Sequence, residues 1–84
     1  MPRSRIELLN VFVETATEVA EKDFKGVAET TKIAELGIDS LGMLEIIGSL
    51  ERELRIQIPD EMLAGVVTVK DLLNAVESRQ SVTS

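Results

Sequence analysis

Ser40 is the residue whose setting offers this chain chemistry. It stands in Leu36-Gly37-Ile38-Asp39-Ser40-Leu41-Gly42-Met43-Leu44-Glu45, where a glycine able to take positive φ precedes Asp-Ser at the mouth of an apolar helical run. That order puts the Ser40 hydroxyl at a helix N-terminus. Unpaired backbone N–H groups and the positive end of the helix dipole there favour an anionic group on or beside it. The same residues also suit a plain N-cap, with Asp39 or Ser40 accepting a hydrogen bond from the first turn. Those ten residues alone leave both readings open. The chain has no Cys and no His, which removes thiol catalysis, disulfides, the usual zinc sites and His-based nucleophile triads together. No His or evident Lys base accompanies Ser40 in its local sequence, so an activated nucleophile has no visible support.

Eighty-four residues form one domain with a small core. Hydrophobic residues make up 44% of the chain, but its aromatics are Phe12 and Phe24 alone, so that core is aliphatic. Nine basic residues against fifteen acidic ones give a net charge of −6 without any Lys/Arg cluster. This balance argues against nucleic acid as a partner and favours a basic protein surface. The chain contains neither an apolar run of the ~18 residues that a membrane span needs nor a signal-peptide core. A cytoplasmic monomer without membrane insertion is expected.

Ser40 needs a helix behind it and a frame around that helix. The second helix is expected over about residues 41–55, with Met43, Ile46, Ile47, Leu50 and Leu54 on its core face and Leu41 tucked near its start. Leu44, Glu45, Gly48, Glu51, Arg52 and Arg55 fall on other faces. Leu44 beside Glu45 would offer a partner a small apolar contact ringed by charge. Upstream, Ser4-Arg5-Ile6-Glu7 has capping-box spacing and opens a first helix over about residues 5–21, buried along Leu9, Phe12, Val13, Ala16, Val19 and Ala20. Residues 22–38 form a connection too long for an ordinary turn, broken by Gly26 and Gly37. Phe24, Val27, Ile33 and Leu36 would pin it to the bundle, with a short helical turn near Thr31 to Glu35. Its length is expected to let the first two helices run parallel.

Pro59 stops the second helix from continuing. Asp60 is expected to cap a short third helix over Glu61 to Ala64, closed by Gly65. Thr68-Val69-Lys70-Asp71 then opens a fourth, with Val69, Leu72, Leu73 and Val76 on one face. Met1-Pro2-Arg3 is expected to fray. Residues 78–84, which lack an apolar period, are expected to form a disordered tail behind a carrier domain spanning 1–77. The fold class is all-α, a four-helix bundle of three longer helices and one short one.

From Leu36 to Glu61 the chain resembles the acyl carrier proteins. Their core reads Leu-Gly-x-Asp-Ser-Leu followed by a helix with an acidic face, matched here by Leu36-Gly37-Ile38-Asp39-Ser40-Leu41. The match continues through Glu45, Leu50, Glu51 and Ile58-Pro59-Asp60-Glu61 to Thr68-Val69, so nearly the whole chain is covered. The resemblance implies that Ser40, flanked by Asp39 and Leu41, carries 4′-phosphopantetheine placed there from coenzyme A by a separate phosphopantetheinyl transferase. It implies a carrier without catalysis of its own, holding acyl groups as thioesters on the arm. This accounts for thioester chemistry in a chain without Cys. Ketosynthases, acyltransferases and other acyl-processing enzymes with basic docking patches would be its partners, met by Leu44, Glu45, Gly48, Glu51 and Arg52. In the family an acyl chain can be sequestered among the helices, which makes Ile46, Ile47, Ile58, Val66 and Leu72 candidate lining residues. Ordinary tight packing accounts for the same side chains.

Two departures from the family pattern bear on the pathway. Arg52 and Arg55 interrupt a second helix that is nearly unbroken acid in fatty-acid carriers, although seven carboxylates against two arginines keep residues 35–61 at −5. Gly42 and Gly48 stand where longer side chains are common. This patched face favours a discrete carrier in a polyketide or mixed polyketide and peptide pathway over a fatty-acid carrier. Asp-Ser-Leu in place of Gly-Gly-x-Ser makes an aminoacyl carrier the weaker alternative. A helical adaptor without a prosthetic group would share the charge, yet it leaves Leu-Gly-x-Asp-Ser-Leu unexplained.

Overall fold

In a computed structural model of the chain, which describes residues 3–82, Ser4 starts the first helix with the cap its sequence encodes. Ser4 Oγ accepts from the Glu7 N–H and Glu7 Oε1 accepts from the Ser4 N–H, both at 3.3 Å. Helix α1 (Arg5–Ala20) ends at Glu21, which takes a left-handed φ of 56°. A 3₁₀ turn (Ile33–Leu36) follows, then α2 (Ser40–Leu54), α3 (Asp60–Leu63) and α4 (Val69–Val82). The expected all-α bundle of three longer helices and one short one is what the chain forms.

The core is aliphatic apart from Phe12. Leu8, Phe12 and Ala16 from α1, Ile46, Ile47 and Leu50 from α2, and Val69, Leu72, Leu73 and Val76 from α4 are all buried. In α1 the buried arc is rotated from the expected one: Leu8 and Thr15 are inside, while Leu9, Val13 and Val19 are only partly covered. Two neighbours, α2 and α4, pack against α1, so its inner arc centres on i, i+4, i+7 and i+8 from Leu8. Leu41, expected to be tucked in, is 66% exposed. It shares a face with Leu44, Glu45 and Gly48 at three-, four- and seven-residue steps, and that face looks outward.

The long connection serves a different geometry from the one its length suggested. Arg3 lies 3.8 Å from Glu53 near the end of α2, while Val19 lies beside Gly42 in the first turn of α2, so α1 and α2 are antiparallel. The extra residues run back along the bundle instead. Glu29 accepts twice from Arg5, at 2.8 and 3.0 Å, and the Glu29 carbonyl accepts from the Lys70 N–H at 2.8 Å. An isolated antiparallel bridge joins Lys32 to Thr68, with Ile33 N–H to Val67 O at 3.0 Å and Val69 N–H to Thr31 O at 2.9 Å. Ile33 and Leu36 are buried, and Phe24 and Val27 pack at the edge of the core.

Helix α3 begins and closes differently from the expected pattern, and α4 ends later than expected. Asp60 is the first residue of α3 and does not cap it, because Pro59 occupies the cap position. The turn closes through the Val66 N–H on Leu63 O at 3.1 Å, without a left-handed Gly65. Helix α4 continues through Val82, so residues 78–82 are helical where a disordered tail was expected. Tertiary partners supply what the apolar period lacks: Arg79 Nε donates to Gln57 O at 2.7 Å, and the buried Gln80 exchanges hydrogen bonds with the backbone of Arg3. Arg3 is thereby tied down too. The rest of the expected frayed ends, Met1, Pro2, Thr83 and Ser84, lie outside the described residues.

Asp71 closes the N-terminus of α4. Its Oδ2 accepts from the Thr68 and Val67 N–H groups at 3.0 Å each, and Thr68 Oγ1 accepts from the Asp71 N–H at 3.2 Å. The hydrogen bonds from Thr68 and Val67 hold the Asp71 carboxyl below its ordinary value of 3.8. Such a group stabilises the fold above its unfolded pKa and stops doing so as pH falls through the lower, folded value. Asp71→Asn is therefore expected to lower the melting temperature at neutral pH, with the gap to the wild type narrowing below about pH 4. A gap that persisted undiminished into strong acid would show that the charge on Asp71 is not what secures the cap.

Candidate functional site

Three backbone decisions aim Ser40. Gly37 takes φ 74° after the 3₁₀ turn, with its N–H on Ala34 O at 3.2 Å, and turns the chain away from the bundle. Asp39 is extended at φ −82° and ψ 179°, and its Oδ1 accepts from the Gly42 N–H at 2.7 Å. The Asp39 carbonyl accepts from the Met43 N–H at 2.9 Å. Asp39 is therefore the N-cap, and Ser40 is the first residue of α2, relieved of capping. Ser40 is exposed, and among the described residues nothing hydrogen-bonds its hydroxyl. Its own N–H and that of Leu41 precede the first intrahelical bond, so they remain to meet an anion at the helix mouth.

Beside Ser40 lies an apolar groove of about 540 Å³. Ile33, Ile38, Met43, Ile47, Leu63 and Val66 form its walls, with Asp39, Ser40 and Leu44 on its rim. Two candidate lining residues, Ile47 and Val66, are thus brought to it. Ile46 and Leu72 are fully inside the core, and Ile58 borders a separate cavity of about 500 Å³ with Gly48, Glu51, Arg52 and Arg79. Ile33, Ile38 and Leu63 escaped the sequence reading because they come from the connection and from α3, where no helical period announces a shared surface. Met43 carried a signal, its core spacing, but it sits at the edge of the core and faces the groove.

The outer face of α2 presents Leu44, 62% exposed, with Glu45 beside it. Leu41 and Val67, 56% exposed, extend the apolar contact around Ser40. Arg52 is exposed and reaches Ser49 Oγ at 3.4 Å, and Gly48 is half-buried. Glu51 is committed inward: its Oε2 accepts from the Ile58 N–H at 2.8 Å and holds the turn between α2 and α3. Among the described residues no His, Cys, Asp and Glu cluster could hold a metal ion, and no helix is long and apolar enough to cross a membrane.

The contrast between Leu44 and Leu50 tests this division of α2. Leu50 is 1% exposed, and Leu50→Ala should cost roughly 2–5 kcal/mol in denaturant unfolding. Leu44→Ala should stay within about 0.5 kcal/mol of the wild type. Equal losses would mean that Leu44 is packed and not presented.

Comparison with known proteins places this geometry. The family model described as "Phosphopantetheine attachment site" matches residues 8–76. Acyl carrier proteins from strains of Clostridium perfringens are 49% identical over 45 residues, which is 54% of this chain, and the chain spans about 59% of their length. The crystal structure of an acyl carrier protein from Thermotoga maritima is 34% identical, covers 92% of this chain and 91% of its own, and superposes with a TM-score of 0.84. The solution structure of the acetyl actinorhodin acyl carrier protein from Streptomyces coelicolor is 25% identical, covers 100% of this chain and 98% of its own, and gives a TM-score of 0.73. With a helix-capped Asp-Ser-Leu at its centre and that match across most of its length, the chain belongs to the acyl carrier protein family, whose members are non-catalytic and bear a covalent 4′-phosphopantetheine.

Proposed function

We propose that this chain carries acyl intermediates on a 4′-phosphopantetheine arm joined to Ser40, and presents them to synthase enzymes of a polyketide or mixed polyketide and peptide pathway. The observation that carries the reading is the state of Ser40: exposed, first in α2, and with a hydroxyl that nothing engages among the described residues. The site fits the group. The N–H groups of Ser40 and Leu41 can meet a phosphate, and the groove walled by Ile38, Met43, Ile47 and Val66 can shelter an apolar chain. When bound, the arm supplies a terminal thiol that holds the acyl group as a thioester.

The chain's own residues present the attachment oxygen and the docking surface. The motif holds no His or evident Lys base beside Ser40, so a phosphopantetheinyl transferase has to take up the Ser40 proton as the oxygen attacks the pantetheine-bearing phosphorus of coenzyme A, the bond from that phosphorus to the bridging pyrophosphate oxygen breaks, and adenosine 3′,5′-bisphosphate leaves. Leu41, Leu44 and Glu45 ring the site with two apolar contacts and a charge, which suits the apolar centre and basic rim of a ketosynthase or acyltransferase. Support for the pathway comes from Arg52 in the last turn of α2 and Arg55 just beyond it, which interrupt the acidic run and suit a partner surface of mixed sign.

Intact mass after incubation with coenzyme A and a broad-specificity transferase tests the attachment. The wild type should gain one phosphopantetheine and Ser40→Ala none, with an unchanged helical circular dichroism spectrum; a modified Ser40→Ala chain would overturn the assignment. Salt should separate folding from docking. Screening cuts charge interactions to a reach of about 8 Å at physiological ionic strength, so sodium chloride should raise the melting temperature of a −6 bundle while weakening its affinity for the transferase. An affinity indifferent to salt would point to docking through Leu41 and Leu44 without the acids.

A further inference from the structure

A side chain at Gly42 would displace its neighbours. A Cβ built there would stand 2.9 Å from Ile38 Cγ2, 3.0 Å from Asp39 Oδ1 and 3.8 Å from Val19 Cγ1. The first two are closer than packed atoms settle. Gly42 is not among the residues with positive φ, so left-handed backbone freedom does not explain it. Glycine is also a poor helix residue, and a steric reason for it is therefore informative. By contrast, a Cβ at Gly65 would meet nothing within 4 Å.

We infer that Gly42 is a positioning residue for the modification of Ser40, leaving the space in which Asp39 and Ile38 set the first turn of α2. This rests on the proposed attachment at Ser40. The Asp39 carboxylate accepts from the Gly42 N–H at 2.7 Å, its Oδ1 lies 3.0 Å from where a Cβ on Gly42 would stand, and Asp39 is bonded directly to Ser40. Ile38 packs against the core and walls the groove, and its Cγ2 is a branch on Cβ that moves only by rotating χ1. A methyl at position 42 would therefore push on the cap and on the groove wall together. The cap would loosen and the Ser40 hydroxyl would lose its fixed direction. Shortening Ile38 would vacate room into which the methyl and the Asp39 carboxylate can both relax.

The test combines transferase kinetics with the hydrogen exchange of the residue-42 amide, a readout of the cap that needs no transferase. Gly42→Ala should lower kcat/KM by about tenfold, comparable to losing one helix cap, and should speed exchange of that amide at an unchanged circular dichroism spectrum. Gly65→Ala should behave as wild type. Adding Ile38→Ala to Gly42→Ala should restore both readouts, whereas Ile38→Val, which keeps a methyl in the Cγ2 position, should not. Modification of Gly42→Ala at the wild-type rate with a protected amide would overturn the inference, as would a slow variant that Ile38→Ala fails to rescue. Should Gly42→Ala alone not fold, Ile38→Ala and the double variant are compared; equal rates are expected, and a tenfold gap refutes the steric route. A wild type that takes up no phosphopantetheine would sink the attachment at Ser40, while the amide exchange would still decide whether Gly42 holds the cap.

Discussion

One guanidinium joins the parts of this bundle that sequence distance would let drift apart. Arg5, in the first turn of α1, donates to Glu29 in the long connection and, at 2.7 Å, to Asn74 Oδ1 in α4, with the Lys70 carbonyl at 3.3 Å and Glu77 at 3.7 Å. The hydrogen bond to Glu29 raises the Arg5 pKa, and the reciprocal bond lowers that of Glu29. Both side chains are partly open to water, so the ion pair itself adds little. Its importance is geometric. A planar fork with several fixed donors selects one arrangement of three segments, and that arrangement sends the connection back along the bundle before it rises to Gly37 and Ser40.

With the connection fixed, α2 divides its labour by angle. Ile46, Ile47 and Leu50 face inward, and Leu41, Leu44 and Glu45 face outward. Met43 lies between them and turns to the groove. The first turn carries a third demand, because the Asp39 cap must close over Gly42 while Ser40 stays unencumbered. A serine that capped its own helix would have its oxygen occupied. Giving the cap to the preceding Asp frees it. Holding a reactive group on a regular helix whose own cap is satisfied is also the most reliable way to fix its direction.

Most of this was legible in the sequence, and what was not has a physical cause. Several local signals were read correctly, namely the Ser4 and Glu7 capping box, the Thr68 and Asp71 box, and the core spacing of α2 and α4, whereas the Asp60 cap failed because Pro59 takes the cap position. The larger misreadings share long range. The antiparallel order of α1 and α2, the bridge from Lys32 to Thr68, and the continuation of α4 past Ser78 all depend on partners far along the chain. The groove is the same case, since its walls come from four segments. In the sequence Gly42 is a mere departure from the family pattern, because only the fold shows that Ile38 and Asp39 crowd it.

The hydrogen bonds between Arg3 and Gln80 give the molecule a handle as well as a working end. Both lie beside Glu53 at the pole where α2 finishes, whereas Ser40 is at the pole where it starts. Fifteen helical residues at ~1.5 Å each separate the two poles by roughly 20 Å. A tether anchored near Arg3 or Gln80 would therefore pull along the axis of α2 and leave the Ser40 end facing away from whatever holds it. Immobilised or fused through that pole, the protein would swing its reactive serine outward like the free end of a lever.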